Sequence, residues 1–266
     1  MKKLGVVGLG VIGQAIVKAA DQGVIPFSIS GVYHRNPETS AGFRKALRAP
    51  PPLQDLTELV AGSDLIFEAA SRPAVEEICD IACPLGKSIV ISSVGALLER
   101  PHLLELAERY GVKIYAPSGG MIGLDGLKGA AIGEITSVVI TTRKSPQSLK
   151  NTPHVKLNNL DMDAVRQPLT IFEGSPAGAL KSFPSNINVS AAVSLAGIGP
   201  HRTTLRIIAD PAATRNVHEV EVNGEFGRSF IRIENVPAGG TGPGMLSYMS
   251  CIAFFKQFGQ TLIIGT

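Results

Sequence analysis

The sequence predicts an α/β protein in two parts, an N-terminal doubly wound parallel sheet followed by an α+β domain with a mainly antiparallel sheet. Short β-rich runs alternate with helical periodicities from residue 3 to residue 116, the pattern of a parallel sheet covered by helices on both faces. A glycine-rich turn, GLGVIG at 8–13, joins the first run to the first helical stretch. After Pro117 the alternation stops: residues 118–133 (SGGMIGLDGLKGAAIG) hold six glycines, and strands dominate beyond them. A chain of 266 residues has the length for two modest domains, each with its own core. The expected boundaries are 1–117 and 118–244, with a C-terminal helix in 245–266 packing back on the first domain.

Taken in order, residues 3–8 (KLGVVG) read as a strand, and 11–20 as a helix whose apolar stripe is Ile12, Ile16 and Val17. A strand at 27–33, a helix near 37–47 and the proline-rich APPPLQ follow. Then come a helix at 56–61, a buried strand at 63–68, a helix at 72–83, a strand at 88–92, a helix at 100–110 and a strand at 113–116. In the second part, strands are expected at 137–142, 202–209, 217–222 and 229–235, with helical stretches at 175–183 and 188–195. Asn223-Gly224 is read as the hairpin turn, because both residue types tolerate positive φ. PAGGTGPG at 237–244 reads as a linker, and 245–258 as a last helix.

Composition narrows the function. Hydrophobic residues at 44% and charged residues at 18% exclude a disordered chain. A net charge of +3 with no Lys/Arg cluster argues against a nucleic-acid partner, and no apolar run approaches the ~20 residues of a membrane span. Cys79, Cys83 and Cys251 are odd in number and form no CxxC pair, so neither disulfides nor zinc are implied, and reduced thiols suit a cytoplasmic protein. The two lysines ahead of an apolar N-terminus imitate a secretion signal, but the glycine spacing there has a better explanation. No His, Cys and carboxylate set has metal-ligand spacing, so no metal is expected.

That better explanation is dinucleotide binding. GLGVIG places Gly8, Gly10 and Gly13 in the G-x-G-x-x-G slots, with Val11 and Ile12 between them, after a strand and at the start of a helix. The first glycine allows the tight turn, the second lets backbone approach a diphosphate, and the third lets helix and strand close together. The helix start adds unpaired N–H groups and positive dipole. After the second strand, where an acid would hold the ribose 2′-hydroxyl of NAD, the chain has His34 and Arg35. No carboxylate repels a 2′-phosphate there and Arg35 can pair with one, so the cofactor is NADP or NAD. Ala70, Ser71 and Ser93 fall at strand C-terminal ends, where ligands of open parallel sheets bind, and are further cofactor candidates; Ser118 is a candidate substrate contact.

Several segments together resemble the L-aspartate dehydrogenase family: GLGVIG, FEAAS at 67–71, SSVGAL at 92–97, PSGG-x-x-GLDGL at 117–127, FEGS at 172–175 and FPSNINVSAAVSLAGIG at 183–199. ADPAATRNVHEVEVNGEFG at 209–227 and IENVP at 233–237 complete the set. The resemblance implies a Rossmann domain, an α+β catalytic domain, a homodimer, and NAD(P)-dependent interconversion of L-aspartate with iminosuccinate or oxaloacetate plus ammonia. It makes His218 the catalytic residue and Gly120, Ile122 and Asn188 cofactor contacts. The chain departs from the family at Gly120-Met121, where an Ala-Ile pair is common, and at AGGTGPG after IENVP, where a basic residue is often found.

The chemistry agrees with that assignment. Oxidising an amino acid gives an imine, whose hydrolysis needs a positioned base, and a histidine ordinarily titrates near the required pH. Alternation nonetheless reads His218 on the polar face of its strand, near Glu221, as an ordinary surface histidine would be. Asn186 is a candidate substrate contact, although an asparagine before an apolar periodic run is also a helix cap. His201 is held as a carboxylate binder; His102 and His154 read as solvated or loop residues, and Glu68 as either functional or structural. From the residues alone, a related imine or carbonyl reductase and a non-catalytic dinucleotide sensor stay open.

Overall fold

The computed structural model describes residues 1–184, 187–238 and 243–265. The chain divides into two compact units, Met1–Gly119 with Ser247–Ile263, and Gly120–Leu246 with Ile264–Thr266.

In the first unit, β1 (Lys2–Val7), β2 (Phe27–Tyr33), β3 (Leu65–Glu68), β4 (Ser88–Ile91) and β5 (Ile114–Tyr115) form one sheet in the order β2-β1-β3-β4-β5. Every pairing is parallel. Successive side chains of a strand face opposite ways, and both faces are buried here. Leu4, Val6, Phe67 and Val90 join one core with Ile16 and Phe27, while Val7, Ile66, Ile89 and Ile91 join another with Val75, Ile78 and Leu103. The central strands β3 and β4 are short apolar runs because neither of their faces meets water.

The helix Met245–Lys256 contributes Cys251 and Phe255 to the first of these cores. Phe255 sets its ring edge-on to Phe27 and Phe67, with centroids 5.4 and 5.2 Å away. Burying one such side chain is worth roughly 1.5–3 kcal/mol. The three cysteines are buried free thiols, and burial pushes Cys79 and Cys251 up to about 12. The helix expected at 37–47 is instead a 3₁₀ turn, Pro37–Ser40, followed by the short helix Ala41–Lys45.

In the second unit, β6 (Ile135–Lys144), β7 (Leu169–Gly174), β8 (Thr204–Ala209), β9 (Asn216–Gly224) and β10 (Gly227–Asn235) are ordered β10-β9-β6-β8-β7. Only β6 and β8 run parallel. One face of this sheet is apolar and covered: Val138, Ile140, Leu205, Ile207, Val220 and Val222 pack with residues of the helices Leu124–Ala130 and Asn188–Ala196. The other carries ion pairs, among them Arg143–Glu219 and Arg206–Glu173.

Two sequence expectations are corrected here, and two elements are added. Asn223-Gly224 is not the turn. Both residues pair within the ladder, Asn223 Nδ2 donates to Ser137 Oγ at 3.0 Å, and the loop is Glu225-Phe226, followed by Gly227 at φ +110°. Gly224 is a glycine for a different reason: a Cβ there would stand 2.4 Å from the Glu134 carbonyl oxygen. Strand β7 and the helix Leu124–Ala130 were not anticipated, because glycines and exposed positions dilute their periodicity. The helix expected at 175–183 is a single turn, Pro176–Ala179.

Candidate active site

The C-terminal ends of β1 to β4 gather most of the predicted cofactor residues of the first unit. Gly8 leaves β1 at φ +94°, and a Cβ there would lie 2.5 Å from the Ala69 carbonyl oxygen just past β3. Gly13 is closer packed still, since its Cβ would lie 1.9 Å from the Gly8 oxygen. Gly10 differs, with nothing within 4 Å of the place a Cβ would take. It precedes the helix Val11–Asp21, whose start no side chain caps. The turn is therefore tight where it meets protein and open where N–H groups point outward, a cradle that fits a dinucleotide diphosphate.

His34 closes the β2 side of this turn. Thr39 Oγ1 donates to the Asn36 carbonyl at 2.7 Å, so its 3.0 Å contact with His34 Nε2 has the imidazole as donor. That leaves Nδ1 to accept from the Leu9 N–H at 3.4 Å. His34 thus braces the glycine turn, and Arg35, next in the chain, is exposed.

Beneath the ends of β3 and β4 lies Glu68, a fully buried carboxylate. It accepts from the N–H groups of Ala70 at 2.7 Å, Ser92 at 3.2 Å and Ser93 at 3.0 Å, and from Ser93 Oγ at 2.8 Å. Burial raises its pKa, and these donors act in the opposite sense. Glu68 thereby fixes two of the loops that carry the predicted contacts Ala70, Ser71 and Ser93. Ser118 stands half-buried on the loop after β5.

In the second unit, His218 is 7% exposed and opposite Thr142 in the β6–β9 ladder. Its Nδ1 is 3.0 Å from Thr142 Oγ1, itself buried. The polar-face reading of His218 is overturned. It shares parity with Val220 and Val222, the covered face, whereas Glu219 and Glu221 point the other way. Burial, helped by the nearby Lys144 ammonium, lowers His218 to about 4, so the ring is neutral at pH 7, with a lone pair able to take a proton. Lys144 is itself pushed down to about 8 by burial.

The linked stability effect has a definite sign. The unfolded chain protonates a histidine near 6.5 while the folded ring resists until about 4, so stability is present above pH 6.5 and lost on acidification between these values. The loss is on the order of 3 kcal/mol. Urea midpoints at pH 7 and 4.5 are expected to fall less for His218→Asn than for the wild type; equal falls would remove the assignment.

Asn235, buried at the end of β10, donates from Nδ2 to the Gly120 carbonyl at 3.0 Å. It pairs with Asn216, two residues from His218 on the same face, so Gly120 is tied to the sheet end that carries the imidazole. Ile122 is exposed two residues on. Asn188 opens the helix Asn188–Ala196 but does not cap it, the cap position belonging to Ile187. Asn186 lies outside the described residues.

The structure does not bring His201 to His218. His201 is exposed in the turn before β8; Thr204 opens that strand opposite Val139, and it is Ile207 that lies opposite Thr142. Three residues of strand, about 10 Å, intervene before the turn begins. His154 is no solvated loop residue either: it lies in the helix Pro153–Leu157, contacts the Ile171 carbonyl at 2.7 Å through Nε2 and stacks on Phe183. Thr142, Lys144 and Asn235 escaped the sequence reading. Asn235 alone had a signal, its place in IENVP.

Among the described residues no cluster of three or more His, Cys, Asp or Glu could hold a metal ion, and no helix is long and apolar enough to cross a membrane. Residues 125–258 match the family model "Aspartate dehydrogenase, C-terminal" and residues 8–117 match "Homoserine dehydrogenase, NAD binding domain". A crystal structure of aspartate dehydrogenase from Thermotoga maritima superposes with a TM-score of 0.77 at 24% identity, covering 100% of both chains, a likeness of fold. The L-aspartate dehydrogenase of Methanococcoides burtonii is 40% identical, with 100% of both chains covered. That of Methanocella arvoryzae is 41% identical, again over 100% of both. Similarity of this extent, spanning the glycine turn and the His218 strand alike, makes the chain a member of the L-aspartate dehydrogenase family.

Proposed function

We propose that the protein oxidises L-aspartate to iminosuccinate with NAD(P), water then giving oxaloacetate and ammonia, and that it runs the reductive amination in reverse. The observation that carries this reading is the neutral, buried imidazole of His218 in a chain of this family. The nicotinamide, when bound, supplies the hydride acceptor. Gly8, Gly10, Val11, Ile12 and Gly13 present the helix start to its diphosphate, with Ala70, Ser71 and Ser93 on the neighbouring loops. Gly120, Ile122 and Asn188 are assigned to the same ligand on the family resemblance, and Ser118 and Asn186 to the substrate on sequence grounds.

His218 acts as the base. Its lone pair takes the proton of the water that attacks the imine carbon, and Thr142 fixes the plane of the ring through Nδ1. The strand is a rigid mount for this group. A homodimer in the cytoplasm is the proposed setting.

The test is a panel of small amino and hydroxy acids offered with NAD and with NADP, read by the absorbance of reduced nicotinamide. L-aspartate is expected to be the best substrate; turnover of another acid in preference to it would overturn the reading. Arg35→Ala is expected to weaken NADP about threefold to tenfold more than NAD, the modest effect of an exposed charge. Equal weakening of both would remove the 2′-phosphate role.

A further inference from the structure

The face of the second sheet that carries His218 changes character along β6. Val138 and Ile140 belong to the apolar core, and Thr142 and Lys144 then continue the same parity. Thr142 lies opposite His218 and Lys144 two residues further along, with Arg143 between them opposite Val217 and facing the other way. Lys144 is therefore the diagonal neighbour of the catalytic imidazole on the covered face, close enough for its charge to act on the ring. The sheet's arginines stand elsewhere. Arg143, Arg206, Arg228 and Arg232 pair with Glu219, Glu173, Glu221 and Glu234 on the opposite face.

We propose that Lys144 binds a carboxylate of the dicarboxylic substrate and holds it beside His218. This rests on the functional reading above and names a group that recognises the substrate's charge. An ammonium set at the end of an apolar face is partly stripped of water, so a carboxylate brought to it forms a charge-assisted hydrogen bond in a weakly screened setting. The same cation disfavours protonation of His218. A carboxylate seated on Lys144 offsets that effect, so binding of the anion strengthens the base at the moment it is used.

The experiment compares wild type, Lys144→Met and Lys144→Arg, with succinate and its monoamide, succinamate, as inhibitors competing with L-aspartate. Wild type is expected to prefer succinate. In Lys144→Met the succinate inhibition constant is expected to rise about tenfold or more, the worth of a hydrogen bond to a charged group, and the preference over succinamate to fall to near unity. Lys144→Arg is expected to restore part of the preference. Cofactor affinity, read by nicotinamide fluorescence, and the thermal midpoint report whether each variant is folded. An unchanged preference in a folded Lys144→Met protein overturns the assignment, and so does a uniform loss for both inhibitors that Lys144→Arg does not repair. Wild-type protein that fails to turn over L-aspartate removes the functional reading itself, a separate result seen before any variant is made.

Discussion

His218→Ala is expected to lower turnover of L-aspartate about 10²- to 10⁴-fold, the usual worth of a positioned acid/base group, while leaving cofactor affinity within about twofold of wild type. The separation follows from placement. His218 lies in β9 of the second unit, and the glycine cradle belongs to the first. Removing the ring also leaves Thr142 Oγ1 without its imidazole partner in a buried place. An unpaired buried hydroxyl costs roughly 1–3 kcal/mol, so the thermal midpoint is expected to fall as well. His218→Gln keeps a hydrogen-bonding group near Thr142 but supplies no base, and is expected to be as inactive as the alanine variant yet more stable. Steady-state rates, cofactor titration and thermal unfolding on the three proteins decide it. Activity in His218→Gln within about tenfold of wild type would exclude the general-base role.

The second large effect separates two glycines of one motif. Gly13→Ala sets a methyl 1.9 Å from the Gly8 carbonyl oxygen, so backbone must move. It is expected to cost stability of about 1–3 kcal/mol, as overpacking does, and to abolish measurable dinucleotide binding. Gly10→Ala meets nothing within 4 Å and sits at φ −74°, a value any residue adopts. Its stability cost is expected to stay within about 1 kcal/mol, that of a poorer cap residue. The added methyl, however, occupies the open side from which a diphosphate reaches the helix N–H groups. Losing one or two charge-assisted hydrogen bonds weakens cofactor about tenfold to a hundredfold. Thermal midpoints beside cofactor titrations test both, and a Gly10→Ala protein with undiminished affinity would mean that the diphosphate does not rest there.

The first sheet was legible because its central strands are buried on both faces and read as short apolar runs between turns, and because the glycine spacing marks the turn after β1. In the second unit the sequence names His218, but not the face it occupies nor the buried Thr142 beside it. His218 was read onto the wrong face because two glutamates surround Val220, although parity puts the imidazole with the valines. Its partner Thr142 is 76 residues away, and nothing in either segment announces the β6–β9 register that joins them. Lys144 was invisible for the same reason. Glu68 escaped a firm reading because two of its three donor residues, Ser92 and Ser93, follow β4, some twenty-five residues on. His201 was assigned on residue type, and the parallel pairing of β6 with β8 puts its turn at the wrong end of the strand.

The first unit takes its last large core residue, Phe255, from a helix that follows every β-strand of the second unit. On a ribosome adding ~5–20 residues per second, that interval is on the order of ten seconds. During it, the surfaces of Phe27 and Phe67 that Phe255 seals lie bare to water and to other nascent chains. The second unit has all its β-strands in one uninterrupted stretch and is not held back in this way. Maturation is therefore expected to run against the order of synthesis, the nucleotide-binding half being completed last.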